Sequence, residues 1–233
     1  MANLFLLAHL QEVRDDMSTT DERPLFYWQR YVAGGARFAS SAGADLAALR
    51  RGVGRLPGSV PAMWPFYTQI NSDGRTTARY AAEHAALTLF AIHQQSQATS
   101  MHRPGIGLGT AVLRLRQHGQ RRGGGPAPAT GPAAPDWSKE SPVDRRFNSA
   151  ATASDVTELV LHLRGLVTQL RGIAQPLDYT MLFDDLRRWD FPEGAARARR
   201  RWGMQYFTRN GQTNDKDEDT ATDPTQPTDE ESL

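Results

Sequence analysis

The 233-residue chain has no cysteine, and its only lysines are Lys139 and Lys216. Without cysteine a disulfide scaffold and a thiolate zinc site are excluded, and a reducing, cytoplasmic setting is expected. With so few lysines, arginine carries nearly all the positive charge; it stays protonated and grips phosphate oxygens with two parallel donors. A GC-rich genome also produces arginine-rich chains, so the excess alone assigns nothing. Apolar residues make up 39% of the chain, and no window approaches the roughly 20 apolar residues of a membrane span. A short apolar run opens at Leu4, but no basic residue precedes it and no A-x-A site follows, so it does not read as a signal peptide. Period-two alternation is missing throughout. The expected architecture is all-α.

Signatures of catalysis are missing too. None of the six histidines forms H-x-x-x-H, and His84 and His93 fall on an apolar stretch that reads as core. Asp178, Asp184 and Asp185 resemble a carboxylate metal site only superficially. Asp178 is better explained as a helix N-cap, and Asp184 pairs with Arg188 at i,i+4. G-I-G-L-G at 105–109 lacks both the dinucleotide spacing and the phosphate-loop lysine, and reads as a tight loop into a helix. G-x-S-x-G is absent. No enzyme, metal or cofactor is expected.

Helical signals dominate what is present. Residues 155–190 hold two amphipathic patterns. Val156, Leu159, Val160, Leu163, Val167 and Leu170 make one apolar stripe, with Ser154 as the expected N-cap and Gly172 as the stop. After Pro176, Asp178 caps a second pattern with Tyr179, Leu182, Phe183, Leu186 and Trp189 on its inner face. The short connection predicts that the two pack antiparallel as a hairpin. Residues 77–97 give the longest helical pattern, free of charge between Ala85 and Ile92, and therefore a buried central helix.

Shorter helices are expected from Pro24, carrying Phe26, Tyr27, Tyr31 and Phe38, and at 44–51, from Pro61 and at 108–117. Others start at Ser141, a strong cap-and-proline signal, and at Pro192. The chain divides into an N-terminal extension (1–20), a helical part (21–118), a flexible Gly/Pro/Ala-rich loop (119–140), a second helical part (141–209) and an acidic tail (210–233) expected to be disordered. The prediction is a bundle of about eight helices in one lobe or two.

The formal charge of +1 is unevenly spread: the tail holds eight acids and one lysine, leaving residues 1–209 at +8. Arginines cluster at Arg50, Arg51 and Arg55, at Arg114 and Arg116, at Arg145 and Arg146, at Arg164 and Arg171, and at Arg197 with Arg199 to Arg201. A solvated surface explains any one cluster equally well. Several on one bundle predict a shared basic groove that binds a nucleic-acid backbone without reading sequence.

Motif order then carries a resemblance. L-A-A-L-R-R-G-V-G-R-L-P-G (46–58), W-P-F-Y (64–67), H-Q (93–94), G-I-G-L-G (105–109), R-R-F (145–147), L-V-L-H-L-R-G-L-V (159–167), L-D-Y (177–179) and L-x-x-W (186–189) together resemble the CasB family, the small subunit of the type I-E CRISPR surveillance complex Cascade. The resemblance spans about 22–208. It implies a non-catalytic all-α subunit present in two copies beside the large and backbone subunits, supporting crRNA-guided antiviral defence. Its basic residues would contact the displaced DNA strand of the R-loop and the neighbourhood of the guide–target duplex. By position the resemblance carries over to Arg50, Arg51, Arg55, Arg145, Arg146 and Arg164. Charge and placement add Arg79, Arg103, Arg114, Arg116 and Arg171. Two other readings stay open: a helical scaffold making only protein contacts, and a helical nucleic-acid-binding regulator outside CRISPR systems. The extension, the 119–140 loop and the tail depart from the family pattern, and the tail is a candidate competitor for the basic face.

Overall fold

A computed structural model describes residues 25–30, 42–68, 70, 74–122 and 137–207. Seven α-helices occur among them: α1 (Ala42–Arg50), α2 (Ala78–His93), α3 (Leu108–Arg122), α4 (Pro142–Ala151), α5 (Val156–Gly172), α6 (Tyr179–Leu186) and α7 (Pro192–Phe207). Two 3-10 helices, Tyr27–Gln29 and Pro61–Phe66, lie among them as well, and an isolated parallel bridge joins His102 to Leu177. The fold is all-α. Tyr31, Phe38, the N-terminal extension, most of the 119–140 loop and the acidic tail lie outside the described residues.

Helix α2 is the axis, as its uncharged run predicts. Ala82 to Ala91 is buried around the whole circumference. The polar groups it takes inside are largely satisfied, the buried Nε2 of His93 excepted. Glu83 accepts from the Thr68 backbone N–H at 2.7 Å and its hydroxyl at 3.1 Å. His84 bonds the Tyr67 hydroxyl at 2.8 Å and the Gly52 carbonyl at 3.0 Å. His93 bonds the Tyr179 hydroxyl at 3.0 Å. Buried polar groups left without partners cost about 1–3 kcal/mol each, so these bonds make a central polar helix tolerable.

Helices α5 and α6 follow the 119–140 segment in sequence, yet both lie against α2, which precedes it, and all helices share one core. The expected α5–α6 hairpin does not form. The connection is instead clasped to the loop ahead of α3: Leu177 N–H donates to the Met101 carbonyl (3.0 Å), Arg103 N–H to Leu177 (3.1 Å) and Asp178 N–H to Ile106 (2.7 Å). This clasp turns the chain so that each helix seats on α2 rather than on the other. Asp178 is the N-cap predicted for α6, accepting from Thr180 and Met181, and it also holds the Gly105 N–H at 2.8 Å.

Both ends of α5 differ in detail from expectation. Asp155, not Ser154, is the N-cap; its carboxylate accepts the Glu158 N–H while Glu158 reaches back to Ser154. Gly172 is still helical. The left-handed residue is Ala174 (φ 49°), with Gln175 N–H bonded to Leu170 O and Ala174 N–H to Arg171 O, the six-to-one and five-to-two pattern that closes a helix end. Helix α3 runs to Arg122, past the start of the expected loop, and packs on α7. The glycines of 105–109 serve this packing. Gly105 makes the turn (φ 83°), and a methyl group on Gly109 would overlap the Trp202 carbonyl of α7.

Three buried histidines make stability sensitive to acid. Burial lowers the pKa of His84 and His102, and that of His93 to about 3, against an ordinary value near 6.5. Below about pH 6.5 the unfolded chain gains protons at these sites and the folded chain does not, so stability falls as pH drops, by up to about 1.4 kcal/mol per pH unit for each histidine. Glu83 and Asp185, raised by burial, oppose this only nearer the carboxylate range. The melting temperature is expected to be level from pH 8 to 7 and to decline from 6.5 to 5. A level profile down to pH 5 in thermal melts would contradict this burial.

Candidate nucleic-acid interface

Two adjoining concavities that share Val53, Leu161 and Arg164 form a groove lined by arginines from distant parts of the chain. The last turn of α1 contributes Arg50, the loop after it Arg55, and the middle of α5 Arg164. The turn at 51–55 is tight, with Gly54 at φ 72° and Arg55 N–H bonded to Gly52 O at 2.9 Å, which turns Arg55 back toward α5. Residues Val53, Leu161, Gly165 and Thr168 line the groove around Arg50 and Arg164, and no acid lines that end. Arg50 is steadied by a 3.4 Å bond from Nη1 to the Ala91 carbonyl at the end of α2. At the other end the groove meets Asp155 and Glu158, which are engaged in capping α5. The groove is therefore polarised along its length.

Two leucines absent from the expected site belong here. Leu56 (77% exposed) and Leu161 (61% exposed) stand on the groove wall beside Arg55 and Arg164. Leu161 lies off the stripe that ends in the core, and that mismatch in the helical spacing was the available signal.

The remaining arginines distribute elsewhere. Arg51 is exposed next to Arg50. Arg145 is exposed and pairs with Glu140 at 3.9 Å. Arg146 lies against α5 at Gln169, whose amide oxygen accepts from Nη1 (3.0 Å) and Nε (3.1 Å) when turned toward it. Five residues on from Arg164 is about 140° around a helix, so the α4 arginines stand round α5 from the groove. Arg79 lies over the Phe26 and Phe183 rings, at 5.8 and 5.4 Å, and donates to Thr68. Arg103 and Arg114 are exposed on the α2–α3 loop and on α3.

Two of the expected contact residues have structural tasks. Arg116 is 3% exposed: it pairs with Asp144 at 2.7 Å, donates to the Lys139 carbonyl at 3.2 Å and stacks on Trp137 at 4.2 Å. It is removed from the nucleic-acid set, because reaching a phosphate would strand a buried carboxylate. Arg171 is half-buried and caps the end of α2, donating to the Ile92 carbonyl (3.2 Å) and Gln95 Oε1 (2.8 Å). Arg199 and Arg201 are likewise committed, to the Ala151 and Ala153 carbonyls and to Asp185.

Among the described residues no group of three His, Asp or Glu side chains is placed to hold a metal ion, and no helix is long and apolar enough to cross a membrane. A second surface feature lies at the far end of α7, where Trp137 packs on Tyr206 and Phe207, and Met204 and Phe207 are exposed beside it.

Comparisons with known proteins agree on one family. The model for CRISPR-associated protein Cse2 matches residues 45–207. The crystal structure of CasB from Thermobifida fusca is 35% identical over 72% of this chain and 86% of that one, with a TM-score of 0.54. That of a Cse2-family CRISPR-associated protein from Thermus thermophilus is 22% identical over 77% and 93%, with a TM-score of 0.52, a likeness of fold. No curated protein sequence matches the chain.

Proposed function

Because the chain belongs to the CRISPR-associated Cse2 family, we propose that it is the non-catalytic small subunit of a type I-E Cascade and that it stabilises the R-loop by holding the displaced DNA strand along the Arg50–Arg55–Arg164 groove. The observation that carries this reading is that Arg50 of α1 and Arg164 of α5 line one concavity with no acid in its lining, and that Arg164 also lines the adjoining concavity together with Arg55. A concave, apolar-walled site concentrates a positive field, and phosphate contacts there need no base sequence. The exchange of duplex DNA for an RNA–DNA hybrid is close to balanced, so modest backbone contacts tip it. Arg51 flanks the groove. Arg145 and Arg146, round α5, serve a second stretch of nucleic acid or the guide–target duplex, with Arg79, Arg103 and Arg114 as outlying contacts. Contacts to the large and backbone subunits and to a second copy fall on the apolar end of α7, at Trp137, Met204 and Phe207.

Isolated protein titrated with a single-stranded oligonucleotide tests the reading. Three phosphate contacts give a log–log salt slope near −2, from about −0.7 per phosphate, so a tenfold rise in salt weakens binding about a hundredfold. Affinity should be the same for unrelated sequences. Absence of binding at 50 mM salt in fluorescence anisotropy would instead favour a scaffold that contacts only protein.

A further inference from the structure

We infer that the acidic tail of this same chain is a second ligand of the groove and occupies its Arg50–Arg164 end when nucleic acid is absent. The inference rests on the groove reading above and adds a competitor to it. Charge complementarity is the first argument. Residues 210–233 carry eight acids against one lysine, while residues 1–209 carry a net charge of +8. The acids are spaced as Asp215, Asp217, Glu218 and Asp219, then Asp223, then Asp229, Glu230 and Glu231, three groups separated by Thr and Pro. The first and last groups each place three or more carboxylates within five residues.

Reach is the second argument. The described chain ends at Phe207, the last residue of α7, and 26 residues follow it. A coil of that length has a root-mean-square span of about 25–30 Å. A folded body of about 155 residues has a radius of gyration of about 15 Å. Every face of the bundle is therefore within range, and tethering sets an effective concentration near the millimolar scale. Weak carboxylate–guanidinium contacts suffice at that concentration.

Choice of site is the third argument. Two other exposed arginines of the helical faces have acids nearby in the chain. Arg197 on α7 follows Glu193 at i,i+4, and Arg145 on α4 pairs with Glu140. At the Arg50–Arg164 end two cations from different helices share a concavity with apolar walls and no lining acid. Nucleic acid then enters by displacing the tail, so that free protein is guarded against stray polyanions and a long strand outcompetes a short one.

The absence of cysteine gives a direct test in the full-length chain. Thr168 lines the groove and Thr220 lies in the tail, so Thr168→Cys with Thr220→Cys provides two unique sites for a donor–acceptor dye pair. High transfer efficiency is expected at 50 mM salt, falling at 500 mM as the contact is screened. It should fall equally when the eight tail acids are replaced by their amides, or when Arg50→Glu and Arg164→Glu are combined. Transfer that ignores the amide replacement overturns tail docking, and transfer that ignores the arginine reversal overturns the groove as its site. Separately, the amide-substituted chain should bind a single-stranded oligonucleotide about tenfold more tightly than the parent at low salt. Equal affinity overturns the competition. If the dyes report docking but neither protein binds the oligonucleotide, the tail contact stands and the proposed function falls.

Discussion

Combining Arg50→Glu, Arg55→Glu and Arg164→Glu should lower affinity for single-stranded DNA at 50 mM salt by at least about a hundredfold. The salt slope should flatten by about two, since three phosphate contacts contribute roughly −0.7 each. Reversal does more than delete: each glutamate repels the backbone it faces, across a concavity where water screens poorly. The fold should survive. Arg55 and Arg164 are exposed, and Arg50 forfeits only a 3.4 Å bond to the Ala91 carbonyl, so the melting temperature should move by no more than a few degrees. Within Cascade the same variant should assemble but form unstable R-loops in a gel-shift assay. Arg145→Glu with Arg146→Glu is the informative companion. Those side chains stand round α5 from the groove, so the pair should weaken oligonucleotide binding by the isolated protein far less than the triple variant does. A triple variant that binds and supports R-loops like the parent would remove the groove from the mechanism.

Arg116→Ala should have the opposite profile, with a large loss of stability and no loss of binding per folded molecule. Its guanidinium neutralises Asp144 inside the α3–α4–α7 junction. Burial works against ionisation of Asp144, but hydrogen bonds from Tyr206 and Ser141 and the charge of Arg116 outweigh it and hold the pKa below the ordinary carboxylate value. Asp144 also completes the capping box at the start of α4. Removing Arg116 leaves that carboxylate buried without its cation and takes away the stacking surface of Trp137. Breaking a buried pair from one side costs about 3–5 kcal/mol. For a domain of this size that is about 10–15 °C in melting temperature. Thermal melts and anisotropy on the same preparation separate the two roles. A normal melt with lost binding would return Arg116 to the nucleic-acid set.

The contrast between these variants shows where sequence was a sufficient guide. Helix positions were legible because capping and periodicity are local: Ser141 and Asp178 cap where expected, and the uncharged run from Ala85 to Ile92 is the central helix. The role of Arg116 was legible too, although charge pulled the reading the other way. Counting from Val112 and Leu113 at four and three residues puts it on the buried face of α3, two residues from outward-facing Arg114. Arg171, four residues beyond Val167, carries the same signature of partial burial.

Tertiary choices were not legible. The α5–α6 hairpin looked secure from loop length, yet the Met101–Ile106 segment competes for the backbone of Leu177 and Asp178, a partner more than 70 residues away. The groove itself is of this kind. Arg50 and Arg164 are 114 positions apart, and only the seating of α1 and α5 on α2 brings them together. Local spacing showed that each points outward; it carried no information on their sharing a wall.

The anchoring of Trp137 has a practical consequence. Its ring rests on Arg116, Tyr206 and Phe207, and the Lys139 carbonyl is held by the same arginine, while α3 is fastened along α7 as far back as Gly109. Chain is thus moored on both shores of 123–136, at the end of the bundle that carries α7's apolar tip. Doubling the length of such a span adds only about 0.6 kcal/mol of closure entropy. A fluorescent or affinity module spliced there should be tolerated by the fold and leave the Arg50–Arg164 groove untouched, while crowding any partner seated on the α7 tip.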